Sequence, residues 1–328
     1  MEAPRLETLP PPPSVISALK AGFDTIATHL AVILLPLALD LFLWLGPRLS
    51  VERVLLSASE LNQGMADMPN VPTTALEQAL AHYTTFAKNF NLFSSLSTFP
   101  IGVSSLLHGL RPADNPLGPM RVLPLASFEG ILGWGFLFTL AGWLIGAVYY
   151  RWVASLALPA GKSMHLSALG QSFSLSFLYT ILMFGIGAPI FFVLFLLYLF
   201  SPMLGQGLLL LLGFMSMWLL TPFFFAGHGI FMNSEDMFSS IFSSIRLARF
   251  TLPSSSLFIL FVIVINIGLN SLWSIPGTNS WMLLVGILGH AFISTALLSA
   301  SFIYYRDTTA WLQTVFDKLK AGASAPRA

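Results

Sequence analysis

The chain has 328 residues, of which 55% are hydrophobic and only 9% charged, and its formal net charge is +1. A soluble domain carries about a quarter charged residues, so this chain cannot cover itself with polar groups, and its length divides by bilayer thickness rather than into globular domains. The near-neutral balance and the lack of a long basic stripe exclude a nucleic-acid partner. The absence of cysteine excludes disulfides, thiolate nucleophiles and cysteine metal sites.

Met1 to Pro13 is polar and proline-rich and reads as a disordered tail (1–13). It lacks the basic, apolar and small-residue succession of a cleaved signal, so the first apolar segment is expected to act as an uncleaved anchor. Residues 14–45 read as an amphipathic helix followed by the first span. Six stretches are long and apolar enough to cross a bilayer: Thr28 to Leu45, Ser127 to Tyr149, Phe173 to Phe200, Gly207 to Phe225, Leu257 to Trp273 and Trp281 to Tyr304. Backbone amides in hydrocarbon must be satisfied within a segment, which makes these helices. Aromatic residues near their ends, among them Trp44, Tyr149, Tyr150, Trp152, Trp273, Trp281, Tyr304 and Tyr305, are expected to form interfacial belts.

Residues 46–126 form a long insertion in the first hairpin. Val51 to Leu61 and Thr73 to Phe90 carry helical periodicity within it. The run Phe90 to Leu107 is apolar but broken by serines and Pro100. It lies in the interface, dips in as a re-entrant segment (90–107), or crosses as a seventh span. RPADNPLGP, after it, is turn chemistry. Residues 127–304 complete a five-span core, and 305–328 read as a cytoplasmic tail.

Lysines and arginines fix the expected orientation. With the amino terminus inside, Arg5, Lys20, Arg151, Lys162, Arg246, Arg249, Arg306, Lys318, Lys320 and Arg327 are all cytoplasmic, while the short outer turns near Ser201 to Gln206 and Ser274 to Ser280 hold no basic residue. The expectation is a multi-pass cell-membrane protein with both termini cytoplasmic. A short pattern recurs before each odd span: Ser17 to Phe23, Ser167 to Phe173 and Ser243 to Phe250. In Ser234 to Phe250 (234–250) the residues Met237, Phe238, Ile241, Phe242, Ile245 and Ala248 share one helical face, and serines with Arg246 and Arg249 share the other, as in an amphipathic interfacial helix. The fold class expected is therefore an all-α integral membrane protein of six transmembrane helices, arranged as three hairpins, each preceded by a cytoplasmic amphipathic helix. Lys20, Arg246 and Arg249 are its interfacial basic residues.

Glu235 and Asp236, the helix SSIFSSIRLARF and the apolar hairpin after it resemble the membrane domain attached to some bacterial glycerophosphodiester phosphodiesterases, and free-standing relatives of that domain. LDLFLWLGPRLS (Leu39 to Ser50) is similar to a family of bacterial polytopic membrane proteins. The chain has no soluble phosphodiesterase domain, so the resemblance implies a membrane module without catalytic activity.

Intramembrane polar residues are costly and mark candidate sites. His29 and Asp40 are eleven residues apart, three turns of one helix, and are expected to face the same way. Asp40 has a plainer reading, at the helix end and paired with Arg48 or a backbone group. Asn266 and Asn270 lie on the fifth span, and Asn266 and His290 are equally far from the turn near Thr278. They are therefore expected to hydrogen-bond across the fifth and sixth spans. Gly135, Thr139, Gly142 and Gly146 form a seam on the second span where another helix can pack closely. GIGAP (Gly185 to Pro189) and Pro36 are candidate helix breaks. His228 with Glu235 and Asp236 is a His and acid grouping whose structural reading is capping, by Asn233 or Ser234.

No GxSxG, HExxH, phosphate-loop or paired-carboxylate signature occurs, and the scattered histidines make no metal site. The function expected is a non-enzymatic membrane module, without cofactor or metal. It would bind membrane lipids and a membrane-protein partner or a second copy of itself. The alternative is a transporter or permease subunit with a polar path through His29 and Asp40.

Overall fold

Ser14 opens the first helix by accepting the Ser17 amide, and α1 runs Val15–Thr28 with Val15, Ala18, Gly22 and Ile26 buried along one stripe. In the computed structural model, which describes residues 10–57, 73–110, 112–158 and 167–324, this stripe lies on the last helix. Gly22 is the point of closest approach, because a Cβ there would sit 2.5 Å from the Ala300 Cβ. The helix does not continue into the first apolar stretch. The hydroxyls of Thr25 and Thr28 and the His29 ring bond back onto the carbonyls of Ala21, Asp24 and Thr25. There the chain bends by 92° into a 3-10 turn and α2 (Leu34–Leu45). Pro36 falls in the first turn of α2, where its missing amide is tolerated. Thr28 to Leu45 is thus not the single straight helix expected from hydropathy. Of the amino-terminal tail, residues 1–9 lie outside the described residues, and the Pro10 carbonyl accepts the Trp311 indole N–H at 2.8 Å.

The insertion folds as a small mixed unit. β1 (Arg48–Ser50) pairs in parallel with β4 (Val122–Pro124), so both ends of the insertion leave the membrane core side by side. Between them come α3 (Glu52–Ser57), α4 (Thr73–Asn89), a 3-10 turn at Leu92–Leu96, α5 (Leu107–Leu110) and the hairpin β2 (Asp114–Asn115) to β3 (Gly118–Pro119). Helix α3 covers the described part of Val51 to Leu61, whose remainder falls outside the described residues. The hairpin realises the turn chemistry of ADNPLGP, with Gly118 at φ 116° and the Asn115 side chain accepting the Leu117 amide. Residues 97 to 106 are neither helix nor strand.

The remaining helices are α6 (Phe128–Ala157), α7 (Ser167–Leu182), α8 (Ala188–Phe200), α9 (Pro202–Phe224), α10 (Ala226–Asn233), α11 (Met237–Trp273) and α12 (Leu283–Ser324). GIGAP does not break its helix. Met183–Gly187 forms a π-helical turn joining α7 to α8 as one run. Among the described residues four helices are long and apolar enough to cross a membrane: α6, the joined α7 and α8, α11 and α12. The bent pair α1 and α2 is a fifth if taken as one span. The described apolar part of α9 is shorter, Pro202–Met215. Helix α12 has 42 residues, about 63 Å at 1.5 Å per residue, so 305–324 continues the helix rather than forming a loose tail.

The two ends of the bundle are unlike. At one, Trp44 donates to the Thr278 carbonyl, Thr278 donates to Asp114, and Asn115 donates to the Trp44 carbonyl, tying the insertion to the turn between α11 and α12. At the other, Arg306 donates to the Ala157 carbonyl at the end of α6 (2.7 Å), a cation on the negative pole of that helix.

Two expectations about surfaces are corrected. Trp44, Tyr149, Tyr304 and Tyr305 are fully buried in the protein rather than on its surface, whereas Trp152 and Trp281 are exposed. The segments before the odd spans are not all separate helices: Ser167 to Phe173 and Ser243 to Phe250 run on into α7 and α11. A kink at Thr251, two residues before Pro253, marks the join in α11. The polarity of that segment is also inverted relative to an amphipathic helix lying on a protein. Ser240, Ser244, Leu247 and Ala248 face the core, while Phe238, Phe242, Ile245, Arg246, Arg249 and Phe250 are exposed.

A candidate cavity beneath a buried loop

The central feature is the apolar segment Phe90 to Leu107, which runs against the middle of α6. Gly142 is where the Leu96 carbonyl arrives, 2.5 Å from where a Cβ would be, and a Cβ on Gly146 would lie 2.6 Å from the Gly102 Cα. Gly135 contacts Leu92, and the Thr139 hydroxyl donates to the Gly135 carbonyl. The seam Gly135, Thr139, Gly142 and Gly146 therefore receives the 3-10 turn Leu92–Leu96 and the irregular chain after it, not a second long helix. Glycine makes such an approach possible because only a residue without Cβ leaves room for a backbone.

Asp40 holds the far end of that segment. Fully buried, its carboxylate accepts the Ser105 hydroxyl (2.5 Å) and the backbone N–H groups of Leu106 (3.1 Å) and Leu107 (3.2 Å). The plainer reading of Asp40 thus describes its contacts, with backbone and hydroxyl donors and not Arg48. His29 is exposed at the bend after α1, hydrogen-bonded to Thr25 and Thr28. The pairing of His29 with Asp40 on one face fails because His29 sits at the 92° bend, exposed, while Asp40 is buried on α2.

On α11 and α12, the His290 Nδ1 pairs with the Asn270 Oδ1 at 2.7 Å, and the Asn270 amide donates to the Asn266 Oδ1 at 2.8 Å. The partner of His290 is Asn270, one turn from the residue that a symmetric hairpin selects. Trp273 packs directly on Gly286 and Gly289, so the two helices meet asymmetrically. Lys20, Arg246 and Arg249 are all exposed.

Behind the segment is a cavity of about 650 Å³. Its walls are Ser97 to Ser104, Tyr149 and Tyr150 of α6, Leu175 and Tyr179 of α7, Phe223 and Phe224 of α9, Gly227 and His228 of α10, Ile259 and Asn266 of α11, and Leu297 and Ser301 of α12, with their neighbours. Asn266 alone of the candidate polar residues lines it. His228 and Ser301 are joined at 2.7 Å, and the imidazole is ringed by Phe224, Phe225, Phe302 and Tyr305. Burial in this aromatic shell pushes His228 down to about 3, against a weaker opposing pull from the Phe224 carbonyl. It is therefore neutral.

Sequence reasoning missed His228, Ser301, Tyr149 and Tyr150 as one group, since they come from three elements. The signal present was the loop's own composition, apolar yet too rich in serine and proline for a span. The members of the His and acid grouping take separate partners: His228 pairs with Ser301, and Glu235 accepts from Asn233 and Ser243. Asp236, not Asn233 or Ser234, is the cap of α11, accepting the amides of Phe238 and Ser239. Hydrogen bonds from Ser239 hold its carboxyl below the usual carboxylate range. Among the described residues no three His, Asp or Glu side chains converge as a metal site. Comparison with protein-family models, with curated proteins and with solved structures returns no match.

Proposed function

We propose that the chain is a lipid-associating integral membrane module without catalytic chemistry of its own. It has six spans in three hairpins, the segment 90–107 as a re-entrant loop, and both termini in the cytoplasm. The observation that carries the lipid reading is the exposed face of α11, where Phe238, Phe242, Ile245 and Phe250 stand beside Arg246 and Arg249. Aromatic and aliphatic side chains partition into the acyl boundary while the guanidinium groups reach headgroup phosphates, worth about 1 kcal/mol per basic residue near an anionic surface. The non-helical segment 97–106 is compatible with bilayer depth because it lines a cavity within the protein and Ser97, Thr98, Ser105 and Leu106 make internal hydrogen bonds. A relationship to the membrane domain of bacterial glycerophosphodiester phosphodiesterases fits the same reading.

The test is the lipid retained by the purified protein from vesicles of mixed zwitterionic and anionic lipid. Arg246→Ser with Arg249→Ser should bring anionic lipid from enrichment to the bulk ratio, with the melting temperature unchanged. Equal enrichment in both proteins removes this reading. Transport is the second reading, and it draws on the cavity rather than on His29 and Asp40, which lie apart. It requires solute flux in proteoliposomes.

A further inference from the structure

Six side-chain hydroxyls on the cavity walls share one hydrogen-bond polarity. Tyr150 donates its hydroxyl proton to the Pro100 carbonyl, Tyr179 to Phe223, Ser97 to Val103, Thr98 to Ile101 and Ser301 to Leu298, while Tyr149 donates to the Thr295 hydroxyl. A hydroxyl has one proton and two lone pairs. Each of these groups therefore has no proton left to give and offers an incoming molecule acceptor oxygens only. The His228 Nε2 and the Ser301 hydroxyl share a hydrogen bond of 2.7 Å, and the imidazole also bonds the Phe224 carbonyl one turn back. Two groups depart from the pattern: the Ser104 hydroxyl, without a partner, and the Asn266 amide, whose oxygen is taken by Asn270.

Among the described residues no Asp, Glu, Lys or Arg lines the cavity. A carboxylate or phosphate would enter without a cation and would meet oxygens that repel it. A pure hydrocarbon would leave the lone pairs unused. Rim residues Phe99 and Ile263 are exposed and join the apolar surface formed by α7, α8 and α9. The opening thus faces the same medium as that surface. A volume of about 650 Å³ falls within the roughly 300 to 1,000 Å³ of sites for small organic ligands.

We propose that the cavity binds one uncharged amphiphile, an apolar chain whose head donates hydrogen bonds through a hydroxyl, entering from the bilayer. This rests on the membrane reading and goes beyond it, since the α11 face would select anionic headgroups and the cavity would exclude them.

The experiment uses the full chain in nanodiscs and a diazirine-bearing long-chain primary alcohol as photoprobe. Labelling should fall on the peptides containing Phe99 to Gly102 and Tyr179. Hexadecanol should compete at least about fivefold better than its methyl ether, which has the same chain and no donor; one net hydrogen bond of about 1 kcal/mol corresponds to that ratio. Hexadecanoate should compete worse than the alcohol. Equal competition by alcohol and ether, or better competition by the carboxylate, overturns the proposal, and this arm needs no variant. Gly213→Phe places a ring at a wall position where a Cβ meets nothing within 4 Å. It should abolish labelling and keep the melting temperature; full labelling of that folded variant also overturns the proposal. Failure to enter nanodiscs condemns the membrane reading itself. Alcohol selectivity without anionic-lipid enrichment removes only the headgroup role of α11.

Discussion

Helix α12 and the joined helices α7 and α8 are both apolar enough to cross a membrane and opposite in surroundings. Within the most apolar window of each, 56% of α12 is buried inside the protein against 6% of Ser167–Phe200. Helix α12 has α1, α2, α6 and α11 against it. The other run leaves Phe184, Phe191 and Phe192 bare. Hydrophobicity alone therefore does not set where a segment packs in this chain; small residues and buried hydrogen bonds do, because lipid tails are as apolar as leucine and only close contact discriminates between them.

The sharpest way to break that contrast is to exchange glycines on the two sides. Gly146→Leu places a side chain where the Gly102 backbone lies, and neither backbone can yield, so the loop must leave α6. A loss of about 3 kcal/mol or more is expected, read as a large drop in melting temperature in detergent. Gly185→Leu, where a Cβ meets nothing within 4 Å, should stay within about 0.5 kcal/mol. Similar losses at both positions would show that the loop contact has no special weight.

Asp40→Ala acts on the same loop from its other end. It strands the Ser105 hydroxyl and two backbone N–H groups in the interior, at a cost of about 2 to 3 kcal/mol. Hydrogen exchange should accelerate at Leu106 and Leu107. Asp40→Asn keeps one acceptor oxygen and should fall between the two. Exchange unchanged in the alanine variant would mean that these amides are held by something other than the carboxylate.

His228 gives the pH dependence. Its folded value is about 3, against about 6.5 in the unfolded chain. Between these values the unfolded chain carries a proton that the folded protein does not, so stability rises with pH across the window. The contribution is complete above about pH 6.5 and is lost as pH falls towards 3. Melting temperature should therefore decline below pH 6.5 in the parent protein and more shallowly in His228→Phe. Parallel declines would locate the acid sensitivity elsewhere.

The helical, membrane-type character of the chain was legible because apolar runs this long admit few structures. The start of α4 at Thr73 and the hairpin at Asp114 were legible from local chemistry. What could not be read is every feature decided by a distant residue. The bend at His29 comes from threonines bonding backward, which hydropathy does not weigh. The seam on α6 was visible as a close-packing surface, but its occupant, a loop some forty residues upstream, was not. Serines on α11 read as a wet face, yet they are the small residues that let α11 approach α10: the Ser240 hydroxyl donates to the Ala226 carbonyl. In a bilayer the large side chains of an amphipathic segment need not point at the protein, since lipid accepts them equally well.

The smallest expected effect concerns the contact between α11 and α12. Asn270→Ala removes the acceptor of His290 and the donor to Asn266 together. Hydrogen bonds of this kind between apolar helices contribute about 1 kcal/mol, so the melting temperature should fall modestly. Trp273 on Gly286 and Gly289 still holds the hairpin by direct packing. Gly289→Leu, which drives a side chain into the Trp273 ring, should therefore cost more than Asn270→Ala. The reverse order would make the polar chain, and not the tryptophan contact, the principal tie between the two helices.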